Sequence, residues 1–183
     1  MIITTSGGRR VLHEAEGELS GADLHKCDLR QADLDGQNLT RTNLKQAILN
    51  SASVSDADLS EANLEQVIME GAFCMDTTFD RANLTDANLY WTMATGASFR
   101  DVEAKGAQFQ GANLRDADFT GAFLINANFG RDNLGGSTQL QGANFTDAHL
   151  SGARFEGATY NRRTLFPKGF APERQGMIYR ENG

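Results

Sequence analysis

The sequence contains few of the residues from which disulfide frameworks, metal centres and catalytic sites are usually built. Its 183 residues include two cysteines, two prolines, one tryptophan and three histidines. Two cysteines cannot form a disulfide framework or a four-ligand zinc site. Because no run of eighteen apolar residues is present, we expect no transmembrane helix. Residues 1–17 lack the apolar stretch of a secretory signal. Together these absences favour a single cytoplasmic domain.

The charge is negative and unevenly distributed. The chain has 24 acidic and 17 basic residues, a formal net charge of −7. Direct binding of nucleic acid is not expected, because phosphate contacts need lysine and arginine. Residues 161–183 reverse the balance, with five basic residues against two acidic ones. The remainder of the chain is therefore strongly acidic, and we expect its partner to be another protein rather than nucleic acid or a membrane.

A period of five organises the chain. From Leu19 to Leu134 an apolar residue, mostly Leu or Phe, recurs at every fifth position. A small residue, usually Ala, stands two positions before most of these centres, and Asp or Asn often stands directly before the centre. Neither regular structure accommodates this spacing. Five residues on an α-helix rotate by about 500°, which scatters the centres, and an odd spacing on a flat strand alternates faces. The chain must therefore turn a corner every five residues, which builds a solenoid.

A second period of twenty indicates four sides per coil. Phe79, Phe99 and Phe119 are spaced by twenty residues, as are Phe109 and Phe129. Four sides of five residues would stack each set into an aromatic ladder.

The repeat unit resembles that of the pentapeptide-repeat family. The resemblance is carried by the segments Ala22-Asp23-Leu24, Ala57-Asp58-Leu59, Ala62-Asn63-Leu64, Ala82-Asn83-Leu84, Ala112-Asn113-Leu114 and Ala117-Asp118-Phe119. It implies an all-β fold, a right-handed quadrilateral β-helix of about seven coils over residues 17–160. A bare solenoid needs caps at its ends. We assign these to residues 1–16, which could form a hairpin, and to the basic tail, residues 161–183, whose Leu165, Phe166 and Phe170 could cover the last coil.

The register of centres breaks once. After Leu134 the next centre is Leu140, which predicts a one-residue insertion near residues 135–137, where Gly135 and Gly136 tolerate a bulge. Asp132 then occupies an inward position meant for a small residue, where an unpaired carboxylate is costly. Either Asp132 caps backbone N–H groups freed by the bulge, or it marks a local binding site.

We find no constellation typical of catalysis, a cofactor or a metal. His25 and His149 fall in the first and seventh coils, too far apart to share a metal or a proton, and His13 precedes the repeats. Cys27 and Cys74 are predicted to be buried two coils apart, beyond the reach of a disulfide. A solenoid filled by its own Leu and Phe has no lumen for a substrate. We therefore interpret the protein as a non-catalytic protein-binding or scaffold module, a monomer or weak homo-oligomer.

An acidic edge supports an alternative function. The repeat places six aspartates along or near one edge: Asp35, Asp56, Asp58, Asp76, Asp116 and Asp118. Such a run is commonly a solvated face. For some members, the family resemblance implies mimicry of B-form DNA and binding to a type II topoisomerase such as gyrase, with dimerisation through a C-terminal helix and often long projecting loops. Neither feature is evident in this sequence.

The outward positions also predict an apolar corner, a candidate partner-binding patch. Ile48 and Ile68 precede centres on one side of successive coils, Phe73 and Met93 do so on the next side, and Tyr90 and Trp91 stand between those two sides. With Met75 nearby, the apolar corner comprises Ile48, Ile68, Phe73, Met75, Tyr90, Trp91 and Met93. Contiguous exposed patches often mark interfaces, and Tyr, Trp and Met are enriched there. A cap or the tail, through Ile178 and Tyr179, could instead cover these residues, or the cluster could be accidental.

Overall fold

The chain folds as a coil of short sides that pair in parallel with the coil above. The computed structural model describes residues 3–5, 8–10 and 19–181. Each five-residue side pairs with the side twenty residues later, as Asp23 does with Asn43, and Asn43 with Asn63. Four sides therefore make one coil, and seven coils run from Leu19 to Tyr160. The fold is all-β, a right-handed quadrilateral β-helix, as the family resemblance implies.

A tight turn forms each regular corner. At the first one, the Ala22 backbone N–H donates to the Leu19 carbonyl at 3.0 Å. The third residue of such a turn has a positive φ, 63° at Gly36 and 58° at Asp56, as in type II turns. Glycine adopts this conformation at little cost, which explains its frequency in the last place of the repeat.

Four faces result, and we number them in chain order by the residues that stack along their inner side. Face 1 contains Leu19, Leu39, Leu59, Phe79, Phe99, Phe119 and Phe145; face 2 contains Leu24, Leu44, Leu64, Leu84, Ala104, Leu124 and Leu150; face 3 contains Leu29, Leu49, Met69, Leu89, Phe109, Phe129 and Phe155; face 4 contains Leu34, Val54, Cys74, Ala94, Leu114, Leu140 and Tyr160. The residue before each centre points outward, and corner 3/4 denotes the turn between faces 3 and 4.

Two phenylalanine ladders form the upper core, as the twenty-residue period predicts. On face 1 the Phe79 and Phe99 rings stack with centroids 4.8 Å apart, and on face 3 Phe109 and Phe129 do so at 4.8 Å. The ladders meet edge to face, with the Phe99 and Phe109 centroids 6.0 Å apart at 87°. Stacked and edge-to-face contacts are both favourable arrangements of aromatic rings, so each ladder supports the other.

The insertion after face 3 of the sixth coil is longer than the sequence indicates. Asn113 pairs with Gln139, which is 26 residues later instead of 20. The extra six residues lengthen one corner to residues 130–137, which we call the corner loop. The prediction of Leu134 as an inward centre is therefore wrong: Leu134 is 83% exposed. Because Leu134 is not an inward centre, Asp132 does not occupy the inward position predicted for it. Its carboxylate is instead hydrogen-bonded within the loop.

The C-terminal segment extends the coil, and the described N-terminal residues form an antiparallel pair of strands. Strand β1 (Ile3–Thr5) pairs antiparallel with β2 (Gly8–Arg10), as predicted for part of residues 1–16. Residues 11–18, and with them the predicted capping of the first coil, lie outside the described residues. After the seventh coil, β3 (Thr159–Tyr160) pairs in parallel with β4 (Ile178–Tyr179), which follows a 3-10 turn at Pro172–Gln175.

Aromatic side chains of the tail cover the last complete coil. Phe166 stacks on Phe145 with centroids 5.8 Å apart, and Phe170 packs edge to face on Phe155 at 5.3 Å. Leu165 does not take part, contrary to expectation. It occupies the outward position before Phe166 and is 51% exposed, because one additional residue shifts the register after Tyr160.

The buried register can be tested by placing a charge at one centre. Leu84 is fully buried on face 2, so Leu84→Lys would bury an unpaired ammonium. We expect a loss of more than about 4 kcal/mol in the free energy of unfolding, measured by circular dichroism during urea titration. Thr85→Lys, at the partly exposed next position, should be nearly neutral. Equal stability of the two variants would contradict the register.

Candidate interaction surface

The structure places the apolar corner where the sequence predicts it. Ile48 pairs with Ile68 on face 3, and Phe73 pairs with Met93 on face 4. Tyr90 lies at corner 3/4 between these two pairs. The side chains remain accessible, with Phe73 and Met93 exposed by 44% and 40%. Apolar side chains therefore follow two adjacent faces over successive coils.

The corner loop joins this surface, which the sequence did not reveal. The Trp91 indole N–H donates to Asp132 Oδ2 at 2.6 Å. Asp132 Oδ1 accepts the backbone N–H groups of Leu134, at 2.8 Å, and Gly136, at 2.6 Å. Asp132 therefore caps the loop, as one of the two interpretations predicts, and also fastens it to Trp91 two coils below. The exposed Leu134 consequently belongs to the same corner.

Space for Trp91 is provided by a glycine on the coil above. The indole ring of Trp91 lies against Gly111, where a Cβ atom would collide with that ring. Tyr90 packs edge to face on Trp91 with centroids 5.6 Å apart, and its hydroxyl accepts a hydrogen bond from Gln110 Nε2 at 2.8 Å. Both aromatic residues are half-buried, so they form the fixed base of the apolar corner rather than its outer surface.

The tail, as far as residue 181, does not cover the apolar corner. Ile178 and Tyr179 form β4 above Thr159 and Tyr160. On face 4 the parallel pairs run from Met93 through Asn113, Gln139 and Thr159 to Ile178. Because four coil steps separate Ile178 from Met93, the alternative in which Ile178 and Tyr179 cover the patch is wrong.

The six predicted aspartates are divided between a corner and a face. Asp35, Asp56, Asp76 and Asp116 lie at corner 4/1, and Asp58 and Asp118 point outward on face 1. Several are engaged locally. Asp58 accepts the Ser60 backbone N–H at 2.9 Å, and Asp118 likewise accepts that of Thr120 at 3.0 Å, which is common for Asp in turns.

The acidic edge also contacts the tail. Arg163 Nη1 lies 3.1 Å from Asp116 Oδ1, so the basic tail neutralises its upper end. Asp56 and Asp76 remain exposed, and Met75 lies beside them at the same corner. Face 4 is therefore bordered by Tyr90 and Trp91 at corner 3/4 of the fourth coil, and by Asp56 and Asp76 at corner 4/1 of the second and third coils.

Residues 19–181 include two of the three histidines and both cysteines. His25 Nδ1 lies 3.0 Å from Asp23, and His149 stacks on Phe123 with centroids 4.7 Å apart. His13 lies outside the described residues. Burial raises the pKa of the Cys74 thiol to about 12, whereas Cys27 is half-buried. No group of three metal-ligating side chains occurs among the described residues.

Within the part of the chain that the structure describes, no helix is long and apolar enough to cross a membrane.

Stacked five-residue sides, inward columns of apolar residues and tight regular corners define a solenoid repeat protein. Residues 18–56, 57–93, 95–131 and 138–159 match the sequence model of pentapeptide repeats, in eight copies. The chain belongs to the pentapeptide-repeat family. The match is interrupted between residues 131 and 138, where the corner loop departs from the coil.

Three solved structures are similar to this chain. HetL, a pentapeptide repeat protein involved in heterocyst differentiation regulation from the cyanobacterium Nostoc sp. strain PCC 7120, is 28% identical, with 88% of this chain and 80% of HetL covered and a TM-score of 0.47. QnrB1, a plasmid-mediated fluoroquinolone resistance protein, is 16% identical, with 91% and 86% covered and a TM-score of 0.43. A pentapeptide repeat protein from the Arabidopsis thaliana thylakoid lumen is 32% identical, with 55% and 66% covered and a TM-score of 0.29. No curated protein sequence matches the chain significantly.

Removing the Asp132 carboxylate should release the corner loop. Trp91 is the only tryptophan of the chain, so its fluorescence reports this contact directly. We expect Asp132→Ala to shift the emission to longer wavelength, because the indole loses its acceptor and becomes more hydrated. Asp147→Ala, at an ordinary corner, is the matched control. Identical emission spectra for Asp132→Ala and the wild type would contradict the loop contact.

The same contact should be lost in acid. The Trp91 hydrogen bond, followed by backbone N–H groups of the loop, holds the pKa of Asp132 below its ordinary value of 3.8. A lowered folded-state pKa means that the stabilisation is present above the ordinary pKa and is lost as the pH falls through the folded-state value. The wild-type emission should therefore shift below pH 3.8, whereas Asp132→Ala should not show this step.

Proposed function

We propose that this protein is a non-catalytic binding module that uses the apolar corner, extended by Leu134 of the corner loop, to bind another protein. The observation that carries this proposal is the grouping of exposed apolar side chains on two adjacent faces. Phe73 and Met93 lie on successive coils, Ile68 is on the adjacent face, and all three are exposed. Patches of this kind are typical of protein interfaces, and Met and aromatic residues are enriched in interface cores.

The charge around the apolar corner specifies the chemistry of the partner. Asp56 and Asp76 border face 4 along corner 4/1, and Met75 joins them to the apolar side chains. A complementary surface therefore carries apolar groups next to lysine or arginine. Such pairing of charges increases the association rate and selects among partners more than it increases affinity. We accordingly expect binding to weaken, but not disappear, as the salt concentration rises.

The interior supports a binding role over a catalytic one. The inward columns are filled by Leu, Phe and Ala side chains that form one continuous core. Substrate pockets of enzymes are usually concave sites with convergent polar groups, and this rod instead uses its inner space for packing. The outer surface is consequently where its function would be carried out.

The apolar corner can be tested with a double truncation. Because Phe73 and Met93 are exposed, Phe73→Ala/Met93→Ala should lower the free energy of unfolding by less than about 2 kcal/mol. We expect it to lose a protein that the wild type retains from an extract of the source organism, measured by affinity capture and quantitative mass spectrometry. Self-association would appear as a change in mass by light scattering.

Phe123→Ala is the control, because Phe123 is similarly exposed but lies on face 2. It should retain the same partner as the wild type. The proposal fails if the double variant and the control retain the same proteins at the same level.

DNA mimicry toward a type II topoisomerase is the second candidate. It is favoured by Asp56 and Asp76, which are exposed and stand one coil apart at corner 4/1. The sequence suggested an insertion of a single residue, which argued against the long loops that the family resemblance implies for such members. The corner loop is six residues longer than a regular corner, which removes that argument. The pairing of Asp116 with Arg163 neutralises the upper end of the acidic edge. This pairing therefore favours binding through the apolar corner over DNA mimicry.

A gyrase supercoiling assay distinguishes the second candidate from the first. If the acidic edge acts as a DNA mimic, the protein should inhibit or protect gyrase, with an effect that decreases steeply with salt. Asp56→Asn/Asp76→Asn/Asp116→Asn should abolish the effect. Asp86→Asn/Asp101→Asn/Asp147→Asn removes the same charge from other corners and should preserve it. No effect of the wild type at any ratio would contradict this candidate.

A further inference from the structure

A polar cleft opens on face 4 of the upper coils, away from the apolar corner. It has a volume of about 370 Å³ and is lined by Arg115, Ser137, Gln139, Gln141, Thr159 and Arg180. The corner loop contributes Ser137, and the tail contributes Arg180, whose backbone N–H donates to the Tyr160 carbonyl at 2.8 Å. The cleft therefore exists because two irregular segments meet on one face of the rod.

The lining is positively charged although the protein as a whole is acidic. Both charged residues of the cleft are arginines, and its other residues have amide or hydroxyl side chains. The nearby Arg162 and Arg163 are already paired, with Glu181 at 3.1 Å and with Asp116 at 3.1 Å. Planar guanidinium groups are well suited to binding oxyanions, often through two hydrogen bonds each.

Two polar atoms at the cleft have unused hydrogen-bonding capacity. Arg115 Nε, a donor, and Gln141 Oε1, an acceptor, are buried without a partner. Gln141 Nε2 donates to Thr159 Oγ1 at 3.0 Å, and Thr159 Oγ1 donates to the Thr138 carbonyl at 3.3 Å. This contact identifies the Gln141 nitrogen as the donor, so the oxygen is the atom left without a partner. Buried groups of this kind call for a missing partner.

We propose that this cleft binds a phosphate group that retains a proton. Phosphate oxygens accept from Arg115 and Arg180, while a phosphate O–H donates to Gln141 Oε1 after a small rotation of the amide. Sulfate and carboxylates satisfy the arginines equally well but carry no proton at neutral pH for the glutamine. Inorganic phosphate keeps an O–H at neutral pH, whereas a phosphate monoester has largely lost it. The cleft, at about 370 Å³, accommodates inorganic phosphate, which is therefore the expected ligand.

Isothermal titration calorimetry of the full chain tests this proposal. Inorganic phosphate should bind with one-site stoichiometry, and sulfate should bind several-fold more weakly. Arg180→Gln removes an exposed side chain and should weaken phosphate binding by roughly tenfold or more, as expected for loss of a hydrogen bond to a charged group. Arg115→Gln should do the same. Arg174→Gln removes the same charge from the 3-10 turn, outside the cleft, and should leave binding unchanged.

Glycerol phosphate tests the need for a proton on the ligand. Inorganic phosphate should bind more tightly, because the monoester has largely lost the O–H that would donate to Gln141 Oε1. Three results would overturn the proposal: equal or tighter binding of glycerol phosphate, equal affinity for phosphate and sulfate, or phosphate binding that Arg180→Gln and Arg174→Gln reduce by the same factor. Circular dichroism of each variant verifies that the coil is intact.

Discussion

The rod depends on the direct stacking of each side on the side one coil below. Parallel pairs such as Asn43 with Asn63 and Asn63 with Asn83 fix this register through the backbone. Every inward side chain therefore has an equivalent above and below it, and a column must be filled by residues that stack well. The Phe99 and Phe119 rings do so with centroids 4.7 Å apart, close to the usual separation of hydrogen-bonded strands. Backbone pairing and core packing thus impose the same spacing.

Stacking also determines what the surface can carry. The residue at the end of a corner has a positive φ, and its side chain lies over the corner of the next coil. A Cβ at Gly96 would collide with the Asp76 carboxylate, and one at Gly111 would collide with the Trp91 indole. The positions of the Asp76 and Trp91 side chains therefore depend on a glycine twenty residues later. These two surface features are consequently coupled to glycines that also form the turns.

Departures from the regular coil extend one candidate binding surface and form the other. The corner loop adds Leu134 to the apolar corner, and Asp132 fastens that loop to Trp91. The same loop and the tail enclose the polar cleft with Ser137 and Arg180. Regular coils supply a rigid frame, because their inward positions are filled and their backbones are paired. The irregular segments then place chemically distinct groups on that frame, apolar at corner 3/4 and cationic on the upper part of face 4.

The sequence by itself determined the coil, its four faces and the position of every regular side chain, because the turn and the coil repeat at fixed separations of five and twenty residues. That periodicity was enough to place Ile48 directly below Ile68 and to predict the ladder of Phe79, Phe99 and Phe119. Tertiary structure alone decided the length of the corner loop, the exposure of Leu134 and the contact of Asp132 with Trp91, which are 41 residues apart. It also decided that Arg115 and Arg180 line the same cleft. These contacts follow no period, since they arise where the chain leaves the coil and returns to it, and their partners are selected by what lies nearby on the finished rod.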